Sequence, residues 1–124
     1  MPRPSRSSVR VSYPRFDRDQ LLALLRQRLP ALQARLPLRR VVLIGSWARG
    51  RQTAASDIDL LVVYDGPPRE DAFATVKRAL GISQLEPHVY SAAEARAVRD
   101  RLARMAAGGV VVFSDPDRPS VNSP

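Results

Sequence analysis

From Asp17 onward the chain sets Leu21, Leu25, Leu29, Leu32 and Leu36 at three- and four-residue intervals. That spacing lines one face of an amphipathic helix and predicts a buried leucine stripe. Asp17 is placed to cap the helix, with Gln20 three residues on to complete a capping box. Pro30 interrupts the stripe and predicts a kink or a split. Beyond it, apolar runs alternate with helical patterns. Val41–Ile44 reads as a short continuous strand, and a short helix begins at Ser46 and runs to Gln52. Leu60–Tyr64 is a second strand, closed by the Asp65-Gly66-Pro67-Pro68 turn. A helix over 68–80 is expected to turn Phe73, Val76 and Leu80 inward and to stop at Gly81. A strand over 84–90 follows. Ser91 and Glu94 form a second capping box, opening a helix that runs to about Ala107 before Gly108-Gly109. Val110–Phe113 is the last strand. Alternating helices and strands of this size predict an α/β layer, a small mixed β-sheet flanked by helices.

Composition narrows the class. At 124 residues the chain reads as one domain, long enough to bury about two-thirds of its unfolded surface. Residues 1–15, rich in Pro, Ser and Arg, read as a flexible basic arm, and 114–124 as a loose tail. The folded domain then spans 16–113. No apolar run approaches the roughly 18 residues of a membrane span, and no apolar segment follows the charged N-terminus as in a secretory signal. Without cysteine there is neither a disulfide framework nor a thiolate metal site. A cytoplasmic location and no membrane partner are the default expectations.

The formal net charge of +8 is uneven. Residues 1–40 carry ten Arg against Asp17 and Asp19, whereas residues 41–124 carry ten basic and ten acidic side chains. The basic excess thus lies wholly upstream. It suits a solvated segment, a surface for an acidic partner protein, or phosphate contacts with RNA.

The chemistry concentrates in residues 41–65. An apolar run ends in Gly45-Ser46, and eleven residues after Ser46 comes Asp57-Ile58-Asp59, which opens the next apolar run. On a strand, side chains at i and i+2 share a face, so Asp57 and Asp59 project together. Two such carboxylates call for a neutralising cation. Mg²⁺ is usually held in this way, by one or two carboxylates plus substrate phosphates. Neither Gly-x-x-x-x-Gly-Lys nor Gly-x-Gly-x-x-Gly after a strand occurs, which sets aside two other phosphate motifs.

The string Gly45-Ser46-Trp47-Ala48-Arg49-Gly50, followed by Ser56-Asp57-Ile58-Asp59-Leu60, resembles the signature of the polymerase-beta-like nucleotidyltransferases. Within that superfamily it is similar to the minimal nucleotidyltransferases, small domains often paired with a HEPN partner in toxin–antitoxin modules. The resemblance is strong over 41–65 and extends over roughly 17–113. It implies the polymerase-beta-like fold, Gly45 and Ser46 on the triphosphate, and Asp57 and Asp59 as ligands of one or two Mg²⁺ ions. It also implies a third carboxylate on a neighbouring strand, for which Glu86 is the candidate. Glu86 would share a face with Gln84, His88 and Tyr90. Asp59 or Glu86 would serve as general base. Arg49 has the fork geometry to hold phosphate oxygens, or else braces the loop through a carboxylate.

Other residues draw plainer readings. His88, the only histidine, is left out of the catalytic set as a packed or solvated side chain. Trp47 is read as packing, Tyr64 as core or rim, and Arg96, Arg99 and Arg104 as a solvated face. The resulting expectation is transfer of a nucleoside monophosphate from Mg–ATP, or another NTP, to a hydroxyl on a HEPN-type toxin. The alternatives are a non-catalytic toxin-binding module, or transfer to RNA or a small molecule such as an aminoglycoside. Little chain remains outside the catalytic core to hold an acceptor. That favours one supplied by another polypeptide or by a second copy of this chain.

Overall fold

The computed structural model describes residues 17–53 and 55–115; the basic arm at 1–15 and the tail from 116 lie outside the described residues. The leucine periodicity becomes helix α1, Arg18–Gln33. Its capping box is complete: Asp17 Oδ1 accepts the Gln20 N–H at 2.8 Å, and Gln20 Oε1 accepts the Asp17 N–H at 2.8 Å. Leu21, Leu25, Leu29, Leu32 and Leu36 are all buried. Pro30 does not split the helix. It lies near the C-terminal end on the exposed side, and its own carbonyl still accepts the Ala34 N–H at 3.1 Å. Only the one missing N–H is lost there.

Strand β1 (Leu38–Ile44) leads into the short helix α2 (Gly45–Arg49). Strand β2 (Ile58–Tyr64), helix α3 (Ala72–Leu80) and strand β3 (Leu85–Ser91) follow. Helices α4 (Ala92–Ala97) and α5 (Arg99–Ala106) lead to strand β4 (Val110–Ser114). The sheet order is β3-β2-β1-β4. β1 runs antiparallel to both β2 and β4, while β2 and β3 are parallel and joined through α3. This is the expected mixed sheet. Among the described residues no helix is long and apolar enough to cross a membrane.

Alternation divides the strand side chains between two faces. Val41, Leu43, Ile58, Leu60, Val62 and Tyr64 pack with the leucines of α1 and with Val76 and Leu80 of α3. Val42, Ile44, Leu61 and Val63 meet Ala95 and Leu102 of α4 and α5 in a smaller cluster. Both faces are apolar along most of β2, so that strand reads as a continuous run.

Two helical expectations need correction. Phe73 is not inward but 46% exposed. α3 buries Ala72, Thr75, Val76 and Leu80, and Phe73 falls on the flank it shares with Lys77, whose Nζ lies 6.0 Å from the ring centroid. The single helix expected from Ser91 to Ala107 is two, because Val98 leaves helical geometry at φ −122° and ψ 29°. The bend lets Ala95 and Leu102 both reach a twisted sheet face, which a straight rod meets only along a short line.

Arginine side chains tie the elements together. Arg28 Nη1 donates to the carbonyls of Leu80 (2.7 Å) and Gly81 (3.1 Å), satisfying the C-terminal end of α3. The Arg69 N–H donates to the hydroxyl of buried Tyr64 at 2.8 Å, and Arg69 Nη1 donates to the Arg35 carbonyl at 2.9 Å. Arg69 also pairs with Asp71 at 2.9 Å. That hydrogen bond holds the surface Asp71 carboxyl below its ordinary pKa and raises that of Arg69.

Gly109 closes the turn into β4 against the sheet. A Cβ there would stand 2.8 Å from the Leu43 carbonyl oxygen and 2.8 Å from Val42 Cγ1. Backbone cannot yield cheaply, so Gly109→Ala is expected to destabilise the fold by about 1–3 kcal/mol. A lowered urea midpoint at unchanged slope would show it; an unchanged midpoint would place the turn elsewhere.

Candidate active site

Three segments distant in sequence meet at one end of the sheet. Ile44, the last residue of β1, pairs with Asp59 in the antiparallel register, and Asp59 pairs with Glu86 in the parallel one. Gly45 follows Ile44 directly. The turn after β1 and two acidic positions therefore lie in one row. Alternation sends Asp59 to the face of α4 and α5, opposite the buried Ile58 and Leu60. Its side chain keeps 32% of its surface open there, so it is accessible to a ligand.

Gly45 adopts φ +75°, and a Cβ on it would stand 2.6 Å from Asp59 Oδ2. The Asp59 carboxylate thus fills the space that any side chain at position 45 would need. The glycine serves the neighbouring strand as well as the turn. α2 then starts with no side-chain cap on its first N–H groups. Trp47 and Ala48 of α2 are buried in the larger core, and Arg18 Nη1 donates to the Ala48 carbonyl at 2.6 Å, anchoring α2 to the start of α1. Ser46 is half-buried and Arg49 exposed. Arg49 makes no salt bridge among the described residues.

The loop before Asp57 is held by its own hydrogen bonds. The Thr53 N–H donates to Ser56 Oγ at 2.8 Å, and the Ser56 N–H donates to the Thr53 carbonyl at 3.1 Å. The Ile58 N–H donates to the Gln84 carbonyl at 2.8 Å, which joins the start of β2 to the start of β3. Gln84 lies just outside the strand expected for it, at φ +65°, a conformation L residues seldom adopt. Asp57 and Glu86 are exposed. His88, two residues beyond Glu86 on the same strand face, brings its Nε2 to 3.4 Å from Asp59 Oδ1. Asp59 is thereby flanked by Gly45 on one oxygen and His88 on the other.

A profile of the nucleotidyltransferase domain matches residues 25–107, more than half of the chain. The chain belongs to the nucleotidyltransferase domain family. The fold agrees with that membership. A Sulfolobus solfataricus protein assigned as a nucleotidyltransferase superposes with a TM-score of 0.54 at 21% identity, over 86% of this chain and 90% of that one. A variant of the MntA-HpeT toxin–antitoxin gives a TM-score of 0.48 at 16% identity, over 82% and 76%. A toxin–antitoxin solved with AMP-PNP gives 0.44 at 18%, over 81% and 75%. No curated protein matches.

Of the residues picked out by sequence, this nucleotidyltransferase places Gly45 against Asp59 and Asp59 beside Glu86. It holds Asp57 immediately before β2, and Ser46 and Arg49 on α2. Among the described residues no group of three His, Cys, Asp or Glu side chains is gathered to hold a metal ion unaided. A Mg²⁺ ion needs only one or two protein carboxylates when phosphates complete its shell, and Asp57 and Asp59 are donors of that kind. His88 was missed as a neighbour of Asp59. Its i+2 spacing from Glu86 was the available signal, since it puts both on one face.

Gly45→Ala tests the packing of Asp59. The positive φ costs an L residue about 1–2 kcal/mol, and the new methyl displaces the carboxylate. The expected outcome is a lowered melting temperature together with loss of nucleotidyl transfer. A fully active Gly45→Ala variant would show that Asp59 need not occupy this position.

Proposed function

We propose that this nucleotidyltransferase moves a nucleoside monophosphate, AMP for preference, from an Mg–NTP to a hydroxyl on a HEPN-type toxin partner, and so acts as an antitoxin in the cytoplasm. The observation that carries the reading is the close packing of Asp59 on the Gly45 turn, which sets a carboxylate beside a turn open to phosphate. The toxin as acceptor rests on the resemblance of the Gly45–Gly50 and Ser56–Leu60 motifs to minimal nucleotidyltransferases.

Each residue has a part in that reading. The glycine at 45 admits a phosphate, and Ser46 with the uncapped N–H groups of α2 donates to its oxygens. The exposed Arg49 guanidinium adds charge-assisted hydrogen bonds from the solvent side. Asp57 and Asp59 would hold the divalent ion, Mg²⁺, which supplies charge neutralisation at the α-phosphate and a lowered hydroxyl pKa. Glu86, in register with Asp59, accepts the proton of the attacking hydroxyl and supplies the third carboxylate of the site. A bond forms between the acceptor oxygen and the α-phosphorus, the bond to the bridging oxygen breaks, and pyrophosphate leaves.

The test is incubation of the chain with host lysate, Mg²⁺ and ATP labelled at the α-phosphate, beside the Asp57→Asn, Asp59→Asn double variant. The substitutions keep shape and remove both charges, so the fold should stand by circular dichroism. Transfer is expected to fall at least about 100-fold, as when preorganised charge stabilisation is removed. A labelled protein of toxin size supports the reading. Label on RNA or a small molecule changes the acceptor. Absence of label in every fraction overturns the enzyme in favour of a non-catalytic toxin-binding module.

A further inference from the structure

The strand beside Asp59 offers its carboxylate one donor. Glu86 stands directly opposite in the β2–β3 register, and His88, paired with Leu61, stands on the diagonal of the same sheet face. Glu86 carries the same charge as Asp59 and adds only repulsion. His88 brings Nε2 to 3.4 Å from Asp59 Oδ1, and among the described residues no other group hydrogen-bonds that carboxylate. The second oxygen, Oδ2, fills the space above Gly45. The glycine leaves room for it but does not hold it. A carboxylate turns about a broad, two-fold torsion, so the torsion alone does not choose its plane. The plane of Asp59 is therefore set from the Oδ1 side.

We infer that His88 is a positioning residue: its Nε2–H donates to Oδ1 and holds the Asp59 carboxylate in the plane that presents Oδ2 to the Gly45 turn. The inference rests on the transferase reading above, in which that turn receives phosphate. It asks nothing of the ring's charge, because Nε2 carries a proton in one neutral tautomer and in the imidazolium alike. Nor does the fold depend on the contact. His88 keeps 36% and Asp59 32% of its side-chain surface open, and a pair this exposed adds little to stability. What the contact fixes is orientation. Hydrogen bonds that orient the carboxylates of a site typically change its affinity or activity about 10–100-fold when they are lost.

The experiment compares the wild type with His88→Phe, His88→Gln, His88→Asn and Asp59→Asn, each confirmed as folded by circular dichroism. Label transfer from α-labelled ATP in host lysate is followed over a range of ATP concentrations. His88→Phe keeps a ring but has no donor; its maximal rate should fall about tenfold or more. Its half-saturating ATP concentration should move less than about twofold, since Gly45, Ser46 and Arg49 still meet the triphosphate. A Gln amide nitrogen reaches about as far as Nε2, whereas that of Asn reaches only to the place of Nδ1. His88→Gln should therefore recover most of the rate and His88→Asn little of it, a contrast that simple filling of space would not produce. A second readout needs neither nucleotide nor metal. His88 is the sole histidine of the chain, so the imidazole nitrogen resonances of tag-free protein report it alone. They should show Nε2 protonated and should shift in Asp59→Asn. Wild-type transfer in His88→Phe, equal rates in the Gln and Asn variants, or resonances indifferent to Asp59→Asn would each overturn the role of His88 and leave the transferase reading standing. Wild-type transfer in Asp59→Asn, or no transfer by the wild type, would overturn both.

Discussion

The pairing of Ile44 with Asp59 is the constraint on which the site depends. Side chains alternate faces along a strand, so a slip of one residue would carry Asp59 into the leucine core and Ile58 out to solvent. The register is held because both faces of β2 are committed. Leu60 and Val62 lock into the larger core, and Leu61 and Val63 into the smaller one. Burial of these apolar pairs thus fixes the place of a carboxylate that takes no part in it. The same register sets Gly45 beneath Asp59, and there only a residue without a Cβ leaves the carboxylate its room.

The two faces are unequal, and the site lies on the thinner one. α1 and α3 cover one side with a deep leucine layer, stitched where Arg28 meets the end of α3. α4 and α5 cover the other side with a smaller cluster, leaving Asp59 and His88 partly open at the end where β1 turns into α2. The thick layer supplies stability, and the thin one supplies access. Helix α2 belongs to both: Trp47 and Ala48 sink into the deep core, and Arg49 remains at the surface.

This arrangement also changes how the basic N-terminal third is understood. Arg18, Arg28 and Arg39 are not a free positive field. They donate to the Ala48 carbonyl, to the Leu80 carbonyl and to Asp65, respectively. Charge-assisted bonds of this kind fasten α1 to α2 and α3, and β1 to the turn after β2. Composition counted these arginines as excess charge because nothing local in the sequence marks a guanidinium that reaches a carbonyl 30 or 52 residues away.

Much of the fold was legible because its causes are local. The Asp17–Gln20 and Ser91–Glu94 capping boxes, the leucine stripe and the Gly81 stop act within a turn or two of chain. Gly45, Ser46, Asp57 and Asp59 stand out as candidates for the same reason, as chemical types at a spacing that strand and turn geometry interpret. Phe73 and Val98 were misread because a helix's buried face and its straightness are set by the surface it packs on. The sequence by itself determined which elements form and which residue types could carry phosphate chemistry, since propensity, capping and alternation operate between near neighbours. Only the tertiary structure decided that Asp59 would rest on Gly45 and face His88, because cross-strand register and close packing exist only once the sheet is assembled.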